Sequence, residues 1–476
     1  MNLIIASMYE LGHQPFSSLA LEAVLSGAGH SVQIYDHDRE EALQSSLIEL
    51  LSTADALLIS VPMHTASAIA IDVLGQLQEL GIRLPICLFG LYAANLDQSM
   101  IPESVTLLAS GEAKSDILKW LEEINTDTGL NAVSRRSVSQ TRETNKTLPT
   151  PSLNRSIVPS LVNYARLITA DGERLVGYTE ASRGCSHSCT HCPVPVVYGG
   201  RMRINAPDWV LGDIEQLVSL GATHITFGDP DFFNAPIHSM RIVRELHRRH
   251  PNVTFDATIK VQHLIDHQQY LGELKQSGCA FIVSAFEHVS EEVLSKLRKE
   301  HNRADITNAV ALCRKAGIEI RPSLLPFTPW TTPDDIIELF LFIIENSLIS
   351  NVDPIQLTIR LLVPKGSLLI RDPNESGLFV ESKDDSLNYT WKSDYSELDH
   401  LQSELGSRLE TWLMKETPTV IFDMMYQIAC EILGRHYSPP DYSDASVQAV
   451  PKLTESWFCC AEPAETMLAK PRLSAS

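Results

Sequence analysis

The chain has 476 residues, a hydrophobic fraction of 44% and a formal net charge of -21. This length predicts two to four domains, and the acidic balance excludes a broad nucleic-acid surface, because phosphate binding depends on clustered Lys and Arg. The N-terminus has no basic-then-apolar signal and no apolar run reaches the roughly 20 residues of a membrane span, so we expect a soluble, cytoplasmic protein without a membrane partner.

The first 126 residues alternate short apolar runs with segments of helical period. This alternation predicts an α/β fold, a doubly wound parallel sheet with helices on both faces, over residues 1–126. Ligands of such sheets bind beyond the carboxyl ends of the strands, so we expect a binding edge near Met8-Tyr9, Met63-His64 and Leu91-Tyr92-Ala93. The strand-like runs are Leu3 to Ala6, Val32 to Tyr35, Ala56 to Val61, Ile86 to Phe89 and Val105 to Leu108.

The layout of this first domain resembles that of cobalamin-binding domains. Gly111-Glu112, followed by a helical pattern from Ser115 to Ile124, matches the way such domains end. Their DxHxxG motif, which supplies a histidine to cobalt, is absent, because Asp36-His37-Asp38 has the wrong order and no following glycine. The resemblance therefore leaves two alternatives, a cobalamin bound without a protein histidine or a scaffold that binds none.

A linker and a barrel-like domain are predicted next. Residues 127–165 are rich in Ser, Thr, Asn and Arg and contain several prolines, a composition typical of linkers. Over residues 166–370, six strand-like runs alternate with helical patterns, which predicts a partial (βα)6 barrel with its active site at the carboxyl ends of the strands. The six runs are Val176 to Ser182, His224 to Gly228, Val253 to Ile259, Ala280 to Phe286, Ile318 to Leu324 and Ile355 to Val363.

Three closely spaced cysteines follow the first of these runs. Cys185, Cys189 and Cys192 have spacings of x3 and x2, which suit a 4Fe–4S cluster and would leave one of its irons without a thiolate. The amino and carboxylate groups of S-adenosylmethionine can chelate such an open iron. Zinc held with His187 or His191 is the alternative, although the chain has no second CxxC pair. A disulfide framework is disfavoured, since nine cysteines in 476 residues indicate a reducing compartment.

These cysteines resemble the signature of the radical SAM superfamily. The neighbouring Arg183-Gly184, Pro193-Val194-Pro195 and Tyr198-Gly199-Gly200-Arg201 resemble the branch that has an N-terminal cobalamin-type domain. The resemblance implies a reduced cluster that cleaves S-adenosylmethionine and yields an organic radical. One departure is His191, which occupies a position where that superfamily often has an aromatic residue near the adenine.

The resemblance also assigns cofactor-binding roles to residues at the strand ends. Gly228, Asp229 and Asp231, in Gly228-Asp229-Pro230-Asp231, are expected near the methionine amino group, and Glu287 near the ribose. Lys299 and Arg321 are expected to pair with the cofactor carboxylate, because a cation beside an anion in a dry site is a strong contact. An ordinary salt bridge at the barrel rim is the alternative for each of these side chains.

An electron donor of the flavodoxin or ferredoxin type is the implied protein partner. A basic rim of Arg183, Arg201 and Arg203 offers a docking site for such an acidic donor, and ordinary solvated arginines are the alternative. Beyond the barrel we expect a helical extension over residues 371–436 and a flexible tail over 437–476. Leu325 to Trp330 is expected to line the substrate cavity. Four lone cysteines are predicted to be small buried hydrophobes: Cys87, Cys279, Cys313 and Cys430.

The tail contains an adjacent pair, Cys459-Cys460. Neighbouring Cα atoms are about 3.8 Å apart, too close for an unstrained disulfide, so the reduced pair suits a thiophilic atom such as As(III), Cu(I) or zinc. The sequence Cys-Cys-Ala-Glu-Pro resembles the ending of the CUAEP/CCAEP-tail radical SAM proteins, which are related to enzymes that form the arsenic–carbon bond of arsinothricin. The resemblance implies that Cys459 and Cys460 are catalytic residues that deliver arsenic. Incidental thiols in a mobile tail are the alternative.

Three functions follow from these features. The leading hypothesis is transfer of the 3-amino-3-carboxypropyl group of S-adenosylmethionine to As(III), or another thiophilic atom, held by Cys459 and Cys460. The second is cobalamin-dependent radical methylation of an unactivated carbon or phosphorus centre, with the tail cysteine pair as a redox helper. The third, from another class, is an iron–sulfur binding protein that responds to metalloids or redox state.

Overall fold

The computed structural model describes residues 1–42, 46–93, 96, 101–111, 113–126, 137–140, 151–381, 387–440 and 450–455. Within these residues the chain forms two α/β units and a largely helical C-terminal part. The fold class predicted from the sequence is thereby confirmed. Among the helices of these ranges, none is both long enough and apolar enough to cross a bilayer.

A six-stranded parallel sheet forms the first unit. Its strands are β1 (Asn2–Ser7), β2 (Ser31–Asp36), β3 (Ala56–Ser60), β4 (Ile86–Gly90), β5 (Val105–Ser110) and β6 (Ser137–Gln140). Its helices are α1 (Phe16–Gly27), α2 (Leu47–Leu51), α3 (His64–Glu79) and α4 (Lys114–Thr126). The central strand β3 is buried along its whole length, as expected for a parallel strand covered on both faces.

The strand order of this sheet is β2-β1-β3-β4-β5-β6. Helices α1 and α4 pack on one face, and α2 and α3 pack on the other. The chain leaves β1 in one direction and returns to β3 on its other side, so the order reverses between these two strands. Ligands of doubly wound sheets bind at the carboxyl ends of the strands beside such a reversal.

Part of the segment predicted as a linker packs into the fold. Strand β6 lies in it and pairs with β5. The buried guanidinium of Arg155 donates to both carboxylate oxygens of Asp213, from Nε at 2.8 Å and from Nη2 at 2.7 Å. Tyr164 donates to Asp36 at 2.6 Å. The segment therefore ties the first sheet to the second unit.

The second unit is a curled sheet with helices on its outer face. Its strands are β7 (Arg166–Thr169), β8 (Gly172–Thr179), β9 (Ser182–Gly184), β10 (Met202–Ile204), β11 (His224–Phe227), β12 (Thr254–Thr258), β13 (Cys279–Glu287) and β14 (Glu319–Leu324). Its helices are α5 (Pro193–Tyr198), α6 (Pro207–Ser219), α7 (Pro236–Arg249), α8 (Val261–Asp266), α9 (Leu271–Gln276), α10 (Glu291–Lys296), α11 (Arg303–Ala316) and α12 (Pro333–Glu345).

The C-terminal part closes one side of this second unit. Its elements are β15 (Val363–Pro364), α13 (Leu368–Arg371), β16 (Val380–Glu381), β17 (Asn388–Thr390), α14 (Ser396–Leu413), α15 (Pro418–Ile432) and β18 (Lys452–Leu453). Phe340 of α12 stacks on Tyr426 of α15 and meets the ring of Phe422 edge-to-face. Strand β18, which lies in the segment predicted as a tail, pairs with β7, so the second sheet has the order β14-β13-β12-β11-β8-β7-β18.

The prediction of a sixth barrel strand at Ile355 to Val363 is wrong. Residues Pro354–Thr358 form a 3-10 helix, and Arg360 makes an isolated parallel bridge to Phe327. A side chain takes the place of a neighbouring strand at one backbone group of β14. The N–H of Leu324 donates to Gln356 Oε1 at 2.9 Å. Five parallel strands, β8 and β11 to β14, therefore form the half-barrel.

Candidate functional site

The three cysteines of the x3, x2 motif lie on a loop between β9 and α5, near the carboxyl end of β8. Cys189 is buried, and Cys185 and Cys192 are half-buried. The loop leaves β9 through Gly184, whose φ is +76°. A Cβ at this position would lie 2.3 Å from the carbonyl oxygen of Arg201, so the close pairing of β9 with β10 requires glycine.

Hydrogen bonds fix this loop to the rest of the second unit. The N–H and hydroxyl of Thr190 donate to the carbonyls of Leu297 and Lys296, at 3.1 Å and 2.9 Å. Asn234 Nδ2 donates to the Cys185 sulfur at 3.6 Å, and such bonds to sulfur tune iron–sulfur centres. Burial raises the pKa of the Cys185 thiol. Three cysteines on one anchored loop fit the donor set of an iron–sulfur cluster with one open iron.

Asp229, which follows β11, holds the start of the cysteine loop. Its carboxylate accepts from the N–H of Ala181 at 2.9 Å and from the hydroxyl of Ser182 at 2.5 Å. Burial raises the pKa of Asp229 to about 7, and these hydrogen bonds oppose that rise. The side chain of Asp229 therefore supports the loop, which leaves the backbone of this segment as the part able to meet a methionine amino group.

Gly228 lies where two cavities meet. A Cβ here would lie 1.9 Å from the hydroxyl of Tyr178, so this position has room for glycine alone. The Tyr178 hydroxyl donates to Glu180 Oε1 at 3.2 Å, and Glu180 also pairs with Arg183. Arg183 packs over the ring of Phe16 at 5.0 Å, which directs this member of the predicted basic rim toward the first unit.

Glu287, at the end of β13, contacts both the thiol loop and the segment that follows α10. Its Oε1 lies 3.0 Å from Lys299 Nζ and 3.3 Å from His191 Nε2. Burial raises the pKa of this carboxyl, but Lys299 and His191 together hold it well below its usual range. Its φ of +62° is uncommon for a residue with a side chain, and such backbone strain is concentrated at functional sites. Lys299 is thus bound to Glu287 in this structure.

Arg321 lies on β14, apart from the pair of Glu287 and Lys299. Its guanidinium bonds Asp353 at 2.7 Å, and it lines a cavity inside the half-barrel with about 640 Å³ of empty space. The walls of this barrel cavity combine apolar surface with polar side chains: Thr226, Asp256, Thr258, Ser323, Gln356 and Glu455. Arg321 therefore shares a cavity with Gly228, and its carboxylate partner is Asp353, whereas Lys299 is paired with Glu287.

A larger cavity, here called the interdomain cavity, lies between the two units. It has about 1450 Å³ of empty space, part of which is open to solvent. Its walls come from the carboxyl edge of the first sheet (Glu10, Pro62, Met63, Leu91 and Tyr92) and from the thiol loop (Arg183, Gly184, Cys192, Pro193 and Val194). No histidine is found among the described lining residues, in keeping with the missing DxHxxG motif. This lining suits a cofactor that is held by apolar contacts and charged groups, without a histidine ligand.

Glu10, Tyr178 and Glu180 line the interdomain cavity and were not predicted as site residues. Burial raises the pKa of Glu10 to about 8. Its position three residues after β1, at the carboxyl edge of the sheet, is the signal that could have identified it. The predicted catalytic pair Cys459 and Cys460 lies outside the described residues. Leu325 to Trp330, predicted to line the substrate cavity, are not among the lining residues of either cavity described above, and Trp330 Nε1 donates to Glu375 at 2.8 Å.

Comparisons with known proteins agree with this geometry. Residues 179–343, which span the thiol loop and most of the half-barrel, match the family model of the Radical SAM superfamily. The chain is 25% identical over 273 residues to the bacteriochlorophyllide d C-8(2)-methyltransferase of Chlorobaculum tepidum, covering 54% of this chain and 59% of that protein. It is 21% identical over 197 residues to the ribosomal protein uS12 methylthiotransferase RimO of Clostridium novyi, covering 38% and 44%. The chain thus spans about half the length of these relatives.

Two solved structures share the fold. The cobalamin-dependent S-adenosylmethionine radical enzyme OxsB, with aqua-cobalamin and S-adenosylmethionine bound, matches with a TM-score of 0.66 at 12% identity, over 91% of this chain and 72% of that one. The radical S-adenosylmethionine methyltransferase TsrM of Kitasatospora setae, with tryptophan and a SAM analogue bound, matches with a TM-score of 0.57 at 16% identity, over 72% and 71%. The likeness to OxsB extends into the first unit, since 91% of the chain is more than the residues that follow that unit.

Proposed function

We propose that this chain, which has a radical SAM domain at residues 179–343, is a transferase that uses a 4Fe–4S cluster, S-adenosylmethionine and cobalamin to methylate a small molecule. One observation supports this proposal above the others. The interdomain cavity joins the carboxyl edge of the first sheet to Cys192 of the thiol loop, so a large cofactor on the sheet would face the cluster.

Each cofactor has residues suited to hold it. Cys185, Cys189 and Cys192 would bind three irons of the cluster, and the backbone around Gly228 would meet the amino group of S-adenosylmethionine. Lys299, paired with Glu287 at 3.0 Å, brings a cation close to the thiol loop through His191. The cluster supplies one electron for cleavage of the sulfonium, and cobalamin supplies a methyl carrier. A flavodoxin or ferredoxin would provide that electron.

The walls of the interdomain cavity suit a cobalamin held without a histidine ligand. Leu11, Met63 and Leu91 offer apolar surface at the edge of the first sheet, and Lys114 offers a cation near the N-terminus of α4. Burial keeps Glu10 protonated near neutral pH, so this side of the cavity has less negative charge than the sequence suggests. The relatives support the same cofactor, since both OxsB and TsrM have been solved with cobalamin bound.

The substrate would occupy the barrel cavity. Gly228 lines both cavities, so a molecule there would lie beside the expected site of S-adenosylmethionine. Thr226, Thr258 and Gln356 offer hydrogen bonds, while Arg321 and Asp353 offer charges of both signs. We therefore expect a polar small molecule.

Cofactor content and cleavage products test the proposal. Protein purified without oxygen is expected to show iron–sulfur and cobalamin absorption bands. Under strong reductant with S-adenosylmethionine and substrate, it is expected to form 5′-deoxyadenosine together with S-adenosylhomocysteine. Protein that binds no cobalamin, or that leaves S-adenosylmethionine intact, would overturn the proposal. The latter result would favour an iron–sulfur binding protein.

Transfer of the 3-amino-3-carboxypropyl group to As(III) is a second candidate. The position of the last described residues supports it. Glu455 bonds Tyr9 at 2.9 Å and Arg39 at 2.8 Å, and it lines the barrel cavity. Cys459 follows four residues later, within about 14 Å of extended chain. Formation of 5′-methylthioadenosine, dependent on As(III) and lost in a Cys459→Ser/Cys460→Ser variant, would establish this reaction in place of methylation.

A further inference from the structure

Three side chains with metal-ligating atoms converge next to the thiol loop. His187 lies on the loop itself, Asp231 follows β11, and His263 lies in α8. One ligand atom from each is within 4.8 Å of the other two. They come from three separate parts of the chain. Asp231 was expected near the methionine amino group of S-adenosylmethionine, but its Oδ2 faces the imidazoles of His187 and His263.

The distances within this trio are short, but the atoms make no hydrogen bonds. Oδ2 of Asp231 lies 2.7 Å from His263 Nδ1 and 3.6 Å from His187 Nε2. All three atoms are buried, and in the described structure none of them has a hydrogen-bond partner. The approaches therefore lack the angles of hydrogen bonds. Asp231 is fully buried (0% exposed), so an unpaired carboxylate oxygen there is costly.

A second carboxylate contacts the other ring nitrogen of His187. Its Nδ1 lies 2.8 Å from Glu300 Oε2, and Lys260 Nζ lies 2.8 Å from the same oxygen. Metal-binding histidines characteristically donate their other ring N–H to a carboxylate, and Glu300 provides that group.

We propose that His187, Asp231 and His263 form a mononuclear zinc site, separate from the three thiols. Two imidazoles and one carboxylate are a normal zinc ligand set with one position left open. Zinc–ligand bonds of about 2.0 to 2.2 Å at tetrahedral angles place ligand atoms about 3.3 Å apart. The observed 2.7 Å and 3.6 Å lie on either side of that value. The ion would cross-link the thiol loop to α8 and to the segment after β11.

Zinc K-edge X-ray absorption of the full-length, cluster-reconstituted protein from zinc-supplemented cells tests this site. We expect about one zinc per chain, with nitrogen and oxygen neighbours at about 2.0 to 2.2 Å and without sulfur at about 2.3 Å. That spectrum also separates this site from zinc misplaced on the cysteines. Absence of zinc, or a shell that contains sulfur, would overturn the site.

A pair of histidine variants localises the metal. His263→Ala is expected to lose at least about five-fold of the zinc, because it removes one of three protein ligands. His267→Ala is the matched control, since its ring lies 5.6 Å from that of His263 but outside the trio. Equal zinc in the two variants would contradict the assignment. If His263→Ala does not fold, the spectrum of the unsubstituted protein decides. Neither measurement depends on cleavage of S-adenosylmethionine, so the proposed function is tested separately.

Discussion

Glu287 and Lys299 form an ion pair of 3.0 Å in which both side chains are almost completely buried, at 2% and 4% exposure. The same carboxylate contacts His191, between the second and third thiols. The end of β13 and the segment after α10 are thus coupled to the loop proposed to hold the cluster. Removing one member of a buried pair leaves an uncompensated charge, whereas exposed pairs contribute little.

Glu287→Gln is therefore expected to lower the free energy of unfolding by about 3 to 5 kcal/mol, measured by chemical denaturation. Glu273→Gln is the matched control. Its partner Arg244 lies 2.6 Å away, but both side chains are largely exposed, so we expect a change of about 0 to 1 kcal/mol. Similar decreases in the free energy of unfolding for the two variants would show that the buried Glu287–Lys299 pair contributes no more to stability than an exposed pair.

The same pair predicts a loss of stability in acid. Because the pKa of Glu287 is held below its usual range, the unfolded chain takes up a proton before the folded chain does. This contribution to stability is complete above the ordinary carboxyl pKa of about 4.3 and decreases as pH falls below it. Denaturation curves should show a weaker dependence on acid pH for Glu287→Gln than for the unsubstituted protein. Parallel pH profiles would contradict the prediction.

Glu10 is expected to produce a pH effect of the opposite sign. Burial raises its pKa to about 8, so between about pH 4.5 and 8 the folded chain holds a proton that the unfolded chain has released. Stability from this group therefore falls as pH rises through that window. Glu10→Gln, which mimics the protonated form, should melt at a higher temperature than the parent at about pH 8 and at the same temperature at about pH 5. Glu79→Gln, at an exposed glutamate, should follow the parent at every pH.

Cys189→Ala is expected to reduce bound iron and sulfide at least about five-fold, since a cluster with two thiolates is poorly held. The measurement is iron and sulfide content after anaerobic reconstitution. Cys313→Ala is the control, because it removes an equally buried thiol from α11, where burial raises the thiol pKa to about 12 and disfavours the thiolate. Full iron content in Cys189→Ala would exclude this cysteine as a ligand.

Gly228→Ala tests the junction of the two cavities. Its new Cβ would lie 1.9 Å from the Tyr178 hydroxyl, so we expect a destabilisation of about 1 to 3 kcal/mol and weaker cofactor binding. Gly212→Ala, in the interior of α6, has nothing within 4 Å and should instead stabilise by about 0.5 to 1 kcal/mol. Thermal melting and cobalamin absorbance measure both effects. A Gly228→Ala protein that melts and binds cobalamin like its parent would contradict the predicted clash.

The sequence by itself determined those features that depend on near neighbours in the chain. The spacing of Cys185, Cys189 and Cys192 limits what one loop can bind, whatever surrounds it. Likewise, the alternation of apolar runs and helical periods was sufficient to predict both sheets, because each element's burial is encoded within its own residues. The prediction of a strand at Ile355 to Val363 was wrong. There the side chain of Gln356 accepts a hydrogen bond from β14 that the backbone of a sixth strand was expected to accept.

Only the tertiary structure decided which distant residues meet. The contact between Tyr9 and Glu455 joins residues 446 positions apart, and the fully buried pair of Arg155 with Asp213 begins in a segment whose composition is that of a linker. The interdomain cavity likewise has walls from two units that no local pattern relates to each other. Non-local packing selects such contacts, because the free energy of burying a side chain depends on the partner surface that covers it and not on its neighbours in sequence.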